Sequence, residues 1–484
     1  MTGFRNYEKS LYKQLEELMS KLEEALNDNK TLKHDVKELL NKEKEYQDTI
    51  QKLLKEIERL KAIINKDSSN SSKPSSTNGF KKVITNRREK SNKPVGKQKG
   101  DKSTNLSEEK VQKLISSGNV EKTIIEVNKT ESNKNKAFKS IRVIDLKIVK
   151  QIKEYRYYPD ENGKYNIPEY HNRPIQYGNN LKAICCILMN EVYNSTDGTS
   201  KFISDITNEG IEVSKGTLIN WNKELSNKLS VETENIEEKL LNSYYLNNDE
   251  SQIKINGNGY NTLCACNKTH TRLWIHQHKS QEALKEIGFL SNYTGIIVKD
   301  GTDLYNGFGM FLAQCASHIL RYLKGIYDNV DHPSCKEMAD FLKRIIHERK
   351  VLISKGIKCY EEKEYQKIYD EYHIILKKWK KEWMKDALTN PVYDEERKLL
   401  TRMEDDDKDQ ILYFIKDFKI PATNNQAEVG LRNIKIKQKI GKFRSVSGAE
   451  CYAINRSCIS TYKKNKINVL DAIKKAFINE TIII

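Results

Sequence analysis

The 484 residues are enough for two or three domains, so the hydrophobic core is not limited by chain length. The 84 Lys and Arg exceed the 67 Asp and Glu, and the net charge of +17 favours a polyanionic partner, nucleic acid before membrane. No apolar run approaches the roughly 20 residues of a membrane span, and the 9 cysteines, irregularly spaced from Cys185 onward, indicate a reducing compartment, so we expect a cytoplasmic, nucleoid-associated protein.

Residues 1–66 are predicted to form a coiled coil that joins copies of the chain. Two apolar positions recur every seven residues from residue 8 to residue 66, and neither Gly nor Pro interrupts the repeat after Gly3. The two positions are occupied by Leu11, Leu18, Ala25, Leu32, Leu39, Tyr46, Leu53 and Leu60, and by Leu15, Leu22, Asn29, Val36, Glu43, Ile50, Ile57 and Ile64. Because such a seam must be covered, we predict a dimer or larger assembly. A single long helix packed on its own protein is the alternative.

Two segments without a catalytic motif follow the coiled coil. Residues 67–106 are predicted to be a disordered basic linker, because they begin with a run of Ser and Asn and continue with many Lys and Arg. Such an arm can lie along a DNA backbone, and a solubilising spacer is the alternative. Residues 107–175 are predicted to be a small module with β-like segments at 124–127 and 141–149, in which we identify no catalytic or binding motif.

Residues 176–230 are predicted to be helical and to contain a helix-turn-helix-like, DNA-binding segment. A buried helix over 181–192 is followed by a helix from Thr199, a turn at Gly210 and a helix capped by Ser214. Its inner face is expected to hold Leu218, Trp221 and Leu225. The side chains expected to face the major groove are Lys215, Thr217, Asn220 and Lys223. A purely structural helix hairpin is the alternative.

Residues 240–445 are predicted to form an α/β catalytic domain, because strand-like segments from 244 to 300 surround a helix at 281–287. Asp249 and Asp300 lie on or at the end of predicted strands. Since neighbouring strands are about 4.8 Å apart, the two carboxylates can converge. A charged helical insertion is expected at about 330–419, and residues 446–484 are expected to be a C-terminal helical segment.

Two further segments of this domain carry charged residues at helical spacing. His318 and Arg321 share a helix face with Lys324 and are expected to contact a phosphate or a DNA end, although a surface or capping histidine is the alternative. Glu428 lies one turn into a second helix, whose apolar face contains Ala427, Leu431 and Ile434. The cationic residues that follow it, and that we expect to contact DNA, are Arg432, Lys435, Lys437, Lys439 and Arg444.

The three acids Asp249, Asp300 and Glu428 form a candidate catalytic and metal-binding set. Mg²⁺ prefers oxygen ligands and is usually held by one or two carboxylates together with phosphate oxygens. Two such ions, about 3.5–4 Å apart, activate water and stabilise the leaving oxygen in an in-line displacement at phosphorus. The expected cofactor is therefore Mg²⁺ or Mn²⁺, and the expected chemistry is phosphoryl transfer on DNA.

Over nearly its whole length the chain resembles transposases of the insertion sequence 66 family. The motifs that carry this resemblance are Asn70-Ser-Ser-Lys-Pro-Ser-Ser-Thr-Asn-Gly-Phe-Lys-Lys, Pro174-Ile-Gln-Tyr-Gly-Asn-Asn-Leu-Lys-Ala, Ser214-Lys-Gly-Thr-Leu-Ile-Asn-Trp, Asp249-Glu-Ser, Asp300-Gly, His318-Ile-Leu-Arg, Asn424-Asn-Gln-Ala-Glu428, Lys435-Ile-Lys-Gln-Lys and Phe443-Arg-Ser. The resemblance implies a ribonuclease-H-like catalytic core of the DDE superfamily. It also implies that the three acids bind metal while the enzyme cleaves the ends of a bacterial insertion sequence and transfers the strands to target DNA. Accessory transposition proteins are possible further partners.

The chain departs from the family pattern at several positions. Family members usually carry a cysteine zinc module between the linker and the middle helices, whereas no cysteine precedes Cys185, so we interpret 107–175 as a degenerate zinc-binding-like region and expect no zinc. Val429 stands where an arginine is usual, and Ser251 stands where a threonine is commoner. These departures leave one alternative function, a catalytically decayed relic that still binds DNA.

Overall fold

The computed structural model describes residues 2–66, 70–71, 107–118, 120–131, 134, 136–137, 139–171, 173–385, 390–406, 408–480 and 482. The predicted basic linker of residues 67–106 lies outside the described residues, apart from residues 70 and 71. Contacts divide the chain into two units, one comprising Met1–Asn78 with Arg156–Ile484 and the other Gly79–Tyr155. No described helix is both long and apolar enough to cross a membrane.

The first unit begins with a single helix, α1, at Thr2–Ile64, as the uninterrupted seven-residue repeat predicts. Its apolar seam is largely exposed, with Leu18 at 65% and Leu39 at 64% relative accessibility. Among the residues that the structure describes, contacts anchor the end of α1: Ala62 is buried in the core of the later helices, and Lys66 Nζ lies 2.6 Å from Glu395 Oε1. The single chain therefore leaves the rest of the seam uncovered.

The unit at Gly79–Tyr155 contains one described helix, α2, at Glu108–Ser116. Ser107 caps it by accepting the Lys110 N–H, and Glu108 pairs with Arg142. The prediction of β-like segments at 124–127 and 141–149 is wrong, because the described residues there form no strand and their apolar side chains are exposed. β-Branched residues favour a strand only where neighbouring strands pack against them, and no such neighbour is described in this unit.

Four helices precede the sheet in the first unit. They are α3 at Asn179–Asn190, α4 at Thr196–Ile206, α5 at Lys215–Lys228 and α6 at Ser230–Leu241. Ser214 accepts the Thr217 N–H at 3.1 Å and caps α5, as predicted. Leu218, Trp221 and Leu225 are buried, which confirms the predicted inner face of α5. The connection between α4 and α5 occupies residues 207–214, which is longer than the 3–4 residues typical of a helix-turn-helix.

A five-stranded mixed sheet follows. Its strands are β1 at Tyr245–Ile255, β2 at Asn258–Cys266, β3 at Thr271–His276, β4 at Ile296–Lys299 and β5 at Phe311–Gln314, with helix α7 at Gln281–Ile287 between β3 and β4. The spatial order is β3-β2-β1-β4-β5. The first three strands form an antiparallel meander, whereas β4 and β5 run parallel to β1 and to each other. The predicted α/β order of elements is therefore confirmed.

A helical insertion separates β5 from the last part of the domain. Its helices are α8 at Ala316–Tyr327, α9 at Pro333–Ser354, α10 at Glu362–Lys385, α11 at Tyr393–Thr401 and α12 at Lys408–Lys416. They share one hydrophobic core. Buried Arg349 in α9 donates to the carbonyls of Phe414, Phe418 and Ile420, at 2.6–2.8 Å. These bonds fix the exit of the insertion, from which the chain returns to the sheet.

The last three helices cover the sheet and close the fold. They are α13 at Asn425–Ile440, α14 at Val446–Lys464 and α15 at Val469–Phe477. Helix α13 buries Ala427, Leu431 and Ile434, the apolar face predicted from its spacing, against residues of β1 and β2. A Cβ atom built on Gly430 would lie 3.0 Å from Cys264 Sγ of β2. Glycine at this position therefore allows α13 to approach the sheet closely.

Replacing Gly430 by valine should destabilise the protein, because the added methyl groups must be accommodated against Cys264. We expect the free energy of unfolding to fall by about 1–3 kcal/mol, the usual cost of overpacking. Urea unfolding followed by circular dichroism measures this change. Gly441→Val is the matched control, since a Cβ atom there meets nothing within 4 Å, and its effect should stay within about 0.5 kcal/mol. Equal effects of the two substitutions would contradict the argument.

Candidate functional site

Two of the predicted acids lie side by side on neighbouring strands. Asp249 is in the middle of β1 and Asp300 directly follows β4. In the parallel β1–β4 pair, Asn247 is opposite Val298, so extending this register by two residues places Asp249 beside Asp300. Side chains two residues apart on a strand point to the same face. That face is the one covered by α13, because Asn247 bonds to Asn424, which precedes the helix.

The local backbone holds each of these carboxylates. Asp249 Oδ1 accepts the Glu250 N–H at 2.9 Å, and Asp300 Oδ1 accepts the Thr302 N–H at 3.0 Å. The second bond closes a tight turn after β4 in which the carboxylate replaces a backbone acceptor. Asp300 is therefore oriented by its own loop, whereas Asp249 is oriented by the strand.

The third acid reaches the sheet through a buried amide pair. Asn424 Nδ2 donates to the Asn248 carbonyl at 2.6 Å, and Asn247 Nδ2 donates to Asn424 Oδ1 at 2.9 Å. Both Asn247 and Asn424 are fully buried. Because Asn424 directly precedes α13, these bonds fix the start of that helix on β1 and place Glu428, one turn later, over the strand that carries Asp249.

Burial and the neighbouring carboxylates raise the pKa of Asp249. Burial, followed by the charges of Asp300, Glu250 and Glu428, raises the pKa of Asp249 to about 8, although the Glu250 N–H opposes this shift. Like charges disfavour one another unless a cation lies between them. The three acids supply oxygen ligands, which Mg²⁺ and Mn²⁺ prefer, but their ligand atoms do not all lie within 4.8 Å of one another, so a shared cation would require them to move closer.

Helix α8 brings two further predicted residues to Glu428. His318 Nδ1 lies 4.0 Å, and the Arg321 guanidinium 3.6 Å, from Glu428 Oε1. His318 is only 8% exposed, and burial together with the charge of Arg321 lowers its pKa, against the smaller effects of the acids. Both side chains thus point inward to the third acid rather than along an outer helix face.

The predicted DNA-contacting residues of α13 and the loop after it divide into exposed and inward-facing ones. Arg432, Lys439 and Arg444 are exposed, and Lys435 is half-buried. Lys437 instead donates to the Asn194 carbonyl at 3.2 Å, and burial lowers its pKa. Its expected place on the cationic face is therefore corrected, because a carbonyl of the α3–α4 connection holds its ammonium group.

The predicted groove-facing residues lie on the first two turns of α5 and just beyond. Asn220 and Lys223 are exposed. Lys215 Nζ lies 2.8 Å from Asp197 Oδ1 of α4, and the Thr217 hydroxyl hydrogen-bonds to Ser214. A nucleic acid that binds this face would have to compete with Asp197 for Lys215, whereas Asn220 and Lys223 are free to contact it.

Sequence reasoning assigned no supporting role to the residues around the acids, although Asn424 and Glu250 lie in motifs that carry the family resemblance. Besides Asn247 and Asn424, these residues include Glu250, which lies on the other side of β1 from Asp249 and whose side chain is 4% exposed. Glu250 accepts from the Tyr305 hydroxyl at 2.7 Å and pairs with Lys279 Nζ at 2.5 Å. Asparagines placed among the apolar residues of a predicted strand were the available signal, because a buried amide must find hydrogen-bond partners.

Asp249→Asn should stabilise the metal-free protein, and the gain should grow with pH. In the wild type the native carboxyl keeps its proton up to about pH 8, whereas the unfolded one loses it near 3.8. The native state therefore binds more protons between these values, and its free energy of unfolding falls as pH rises through them. We expect the melting temperature of the variant minus that of the wild type to increase from about pH 4 to about pH 8 and then level off.

Thermal unfolding over this pH range, with and without Mg²⁺, measures the effect. Added Mg²⁺ should raise the wild-type melting temperature above pH 7 and have little effect on Asp249→Asn. Asp303→Asn, at an exposed carboxylate of the same loop as Asp300, is the control and should show no such pH trend. A difference between variant and wild type that is constant over the pH range would contradict the crowding of the acids.

A comparison with protein families identifies the family of this chain. The sequence profile described as "Transposase IS66 family" matches residues 182–450, which is more than half of the chain and includes all three acids. No match was found among curated proteins. Proteins of such families process DNA, and DDE transposases generally use divalent metals. The chain belongs to the IS66 family of transposases.

Proposed function

We propose that the chain is an active DDE transposase that cleaves the ends of an insertion sequence and transfers the strands to target DNA. The observations that support this proposal are the register that places Asp249 beside Asp300 and the contribution of Glu428, on α13, to the raised pKa of Asp249. The strand order β3-β2-β1-β4-β5, with an antiparallel meander joined to two parallel strands, supports a ribonuclease-H-like core. The helical insertion lies between the second and third acids, at residues 316–416.

The residues of the site have different roles in the proposed reaction. Asp249, Asp300 and Glu428 would hold Mg²⁺ or Mn²⁺, which when bound activates the attacking water or 3′-hydroxyl and stabilises the leaving oxygen. Arg321, next to Glu428, would neutralise charge on the phosphate that is attacked, whereas His318, whose pKa is lowered, would offer that phosphate a hydrogen bond.

Basic surfaces of the chain would hold DNA next to this site. Arg432, Lys439 and Arg444 follow Glu428 along α13 and the loop after it and remain exposed. A DNA backbone that lies along them would pass the acids, and its affinity should fall steeply with salt because bound counterions are released. Asn220 and Lys223 of α5 are a second exposed contact, which we assign to recognition of the element ends.

The rival function is that of a DNA-binding relic without cleavage activity. The observation that favours it is Val429, which is 45% exposed next to Glu428 at a position where family members usually have arginine. A relic would retain the basic surfaces and the salt dependence of binding but would not nick DNA. Cleavage assays therefore separate the two functions, whereas binding assays do not.

We further propose that α1 pairs with the α1 helix of a second copy in parallel, so that two element ends are held together by one dimer. Leu11 and Leu15 are four residues apart and Leu15 and Leu18 three, which fixes the phase of the repeat. The a positions of the heptad are therefore Leu15, Leu22, Asn29, Val36, Glu43, Ile50, Ile57 and Ile64. Ile and Val at a, Leu at d and one Asn at a favour two parallel strands.

Charged residues beside the seam support the same pairing. Asp28 occupies a g position, and in a parallel dimer it faces Lys33 at e of the second copy. Both helices would also place Asn29 opposite Asn29, where the two amides can hydrogen-bond and fix the register. The protein would then act as a dimer on chromosomal DNA in the cytoplasm, with or without accessory transposition proteins.

Purified full-length protein should nick a labelled element end with Mg²⁺ or Mn²⁺, and Glu428→Gln should reduce the rate by about 10³-fold or more. That loss corresponds to roughly 4 kcal/mol of transition-state stabilisation, because one metal position loses a charged ligand. Gel analysis of the labelled strands, with chelator as a blank, measures the rate. Because the end sequences are not encoded in the chain, DNA that flanks the gene in its genome serves as the substrate.

Glu450→Gln, at an exposed glutamate of α14, is the matched control and should nick like the wild type. DNA binding should survive in Glu428→Gln, since the basic surfaces are unchanged. Binding without nicking by the wild type, with either metal, would favour the relic.

Replacing two d-position leucines, Leu32 and Leu39, by aspartate should convert the dimer into a monomer, because four carboxylates would face each other in the seam. Multi-angle light scattering at micromolar concentration measures the mass, expected to halve from twice 56.3 kDa. Glu45→Lys, outside the seam, should leave the dimer intact. A wild-type monomer, or a mass unchanged in the double variant, would contradict pairing through α1.

A further inference from the structure

A second group of potential metal ligands shares Glu428 with the acid site. A ligand atom from each of Cys315, His318 and Glu428 lies within 4.8 Å of the other two. Cys315 immediately precedes α8 and His318 is in its first turn, so the two side chains are three residues apart on one side of the helix start. Glu428 approaches them from α13. Among the described residues, no other His, Cys, Asp and Glu side chains form such a group.

The surroundings of the His318 Nδ1 atom fit a cation bound between the three ligand atoms. His318 is 92% buried, since only 8% of it is exposed, yet its Nδ1 atom has no hydrogen-bond partner. That atom points towards Glu428 Oε1 at 4.0 Å, which is too long for a hydrogen bond but suited to two ligands of one ion. A buried nitrogen without a partner is costly, and a bound cation would remove the cost.

The sulfur of Cys315 also has a hydrogen-bond donor directed at it, although burial raises the pKa of the thiol. It is 1% exposed, and its Sγ accepts the backbone N–H of Asn424 at 3.1 Å, at the start of α13. N–H donors to sulfur stabilise a thiolate ligand and orient it. The same amide pair that fixes Glu428 on the sheet therefore also fixes the distance between Glu428 and Cys315.

Ligand chemistry selects the type of cation. Sulfur, imidazole nitrogen and one carboxylate oxygen form a borderline-soft set that suits Zn²⁺ and Co²⁺, whereas Mg²⁺ requires oxygen ligands. Zn–ligand distances of about 2.0–2.3 Å need the three atoms to move together by about 1 Å or less. Three protein ligands leave the fourth tetrahedral position open to water or to a phosphate oxygen.

We propose that Cys315, His318 and Glu428 form a binding site for a zinc-like divalent cation, beside the three-acid site and overlapping it at Glu428. This proposal departs from the expectation of no zinc, which rested on the lack of cysteines before Cys185. A cation here replaces the contact between Arg321 and Glu428, so the guanidinium must turn away from its present 3.6 Å approach. If the proposed transposase activity is correct, a soft cation and Mg²⁺ compete for Glu428, and Zn²⁺ inhibits strand cleavage.

Binding of Co²⁺ tests the site without any need for DNA or cleavage. Full-length protein, first treated with chelator and then dialysed, is titrated with Co²⁺ while its absorption spectrum is recorded. We expect one equivalent to produce visible bands of tetrahedral Co²⁺ and a thiolate-to-cobalt charge-transfer band in the near ultraviolet. Zn²⁺ should remove these bands at stoichiometric amounts, whereas excess Mg²⁺ should leave them.

The ligand variants identify which residues bind the ion. Cys315→Ser should lose the charge-transfer band, and His318→Gln and Glu428→Gln should each weaken binding by more than about tenfold. Cys359→Ser, at an exposed cysteine, and His278→Ala, at an exposed histidine, are the matched controls and should behave like the wild type. Circular dichroism and the melting temperature establish that each variant is folded.

The outcomes of the Co²⁺ titration can be distinguished from those of the cleavage assay. A charge-transfer band that persists in Cys315→Ser, that is absent from the wild type, or that disappears in Cys359→Ser overturns the site. If Cys315→Ser does not fold, wild-type affinity in both His318→Gln and Glu428→Gln overturns it. Cobalt binding with these properties and no cleavage of DNA would support the site while refuting the transposase activity.

Discussion

Three carboxylates that repel one another are held together by two buried amide side chains, and the rest of the domain is arranged around that constraint. Asn424 bonds to the backbone and side chain of β1 through Asn248 and Asn247, residues 176 and 177 positions earlier in the chain. Without these bonds the start of α13 would be free to move away from Asp249, which repulsion favours. The geometry of the acids is thus maintained by hydrogen bonds made in a place from which water is excluded, where each is hard to replace.

Hydrogen bonds at the two ends of the helical insertion also help to keep Glu428 in place. The insertion lies between the second and third acids, so its two ends must return to neighbouring positions on the sheet. At one end the Cys315 N–H donates to the Lys299 carbonyl, and at the other the Ala316 N–H donates to the Ala422 carbonyl. Arg349 then holds the last turn of the returning chain through three carbonyls. The insertion core can therefore differ in size without moving Glu428, because the backbone at its two ends is hydrogen-bonded to itself and to the sheet.

Features that depend on nearby residues could be predicted from the sequence. Features that depend on residues far away in the chain could not. Helical spacing placed Ala427, Leu431 and Ile434 on the buried face of α13, and Ser214 was identified as a cap, because both depend on residues within a turn or two. Lys437 was placed on the cationic face, yet it is held by the Asn194 carbonyl, 243 positions away, which no periodicity can indicate. The strands predicted at 124–127 and 141–149 failed for a related reason, since a strand requires a neighbour and composition cannot supply one. The acids could be proposed because two kinds of signal point to them: residue type and local element in the sequence, and a resemblance that joined them across the chain.

The side chains around Glu428 are of several chemical types. Asp249 and the sheet approach it from one side, and Cys315, His318 and Arg321 of the α8 segment from another. As long as Arg321 neutralises it, Glu428 can sit near the other acids in the absence of metal at a moderate electrostatic cost. If the proposed divalent cation binds, it would take over that neutralisation and release Arg321 to contact a phosphate. The ion pair would then couple occupation of the acid site to the availability of a cationic side chain, so that metal and DNA backbone would be bound together more favourably than either alone.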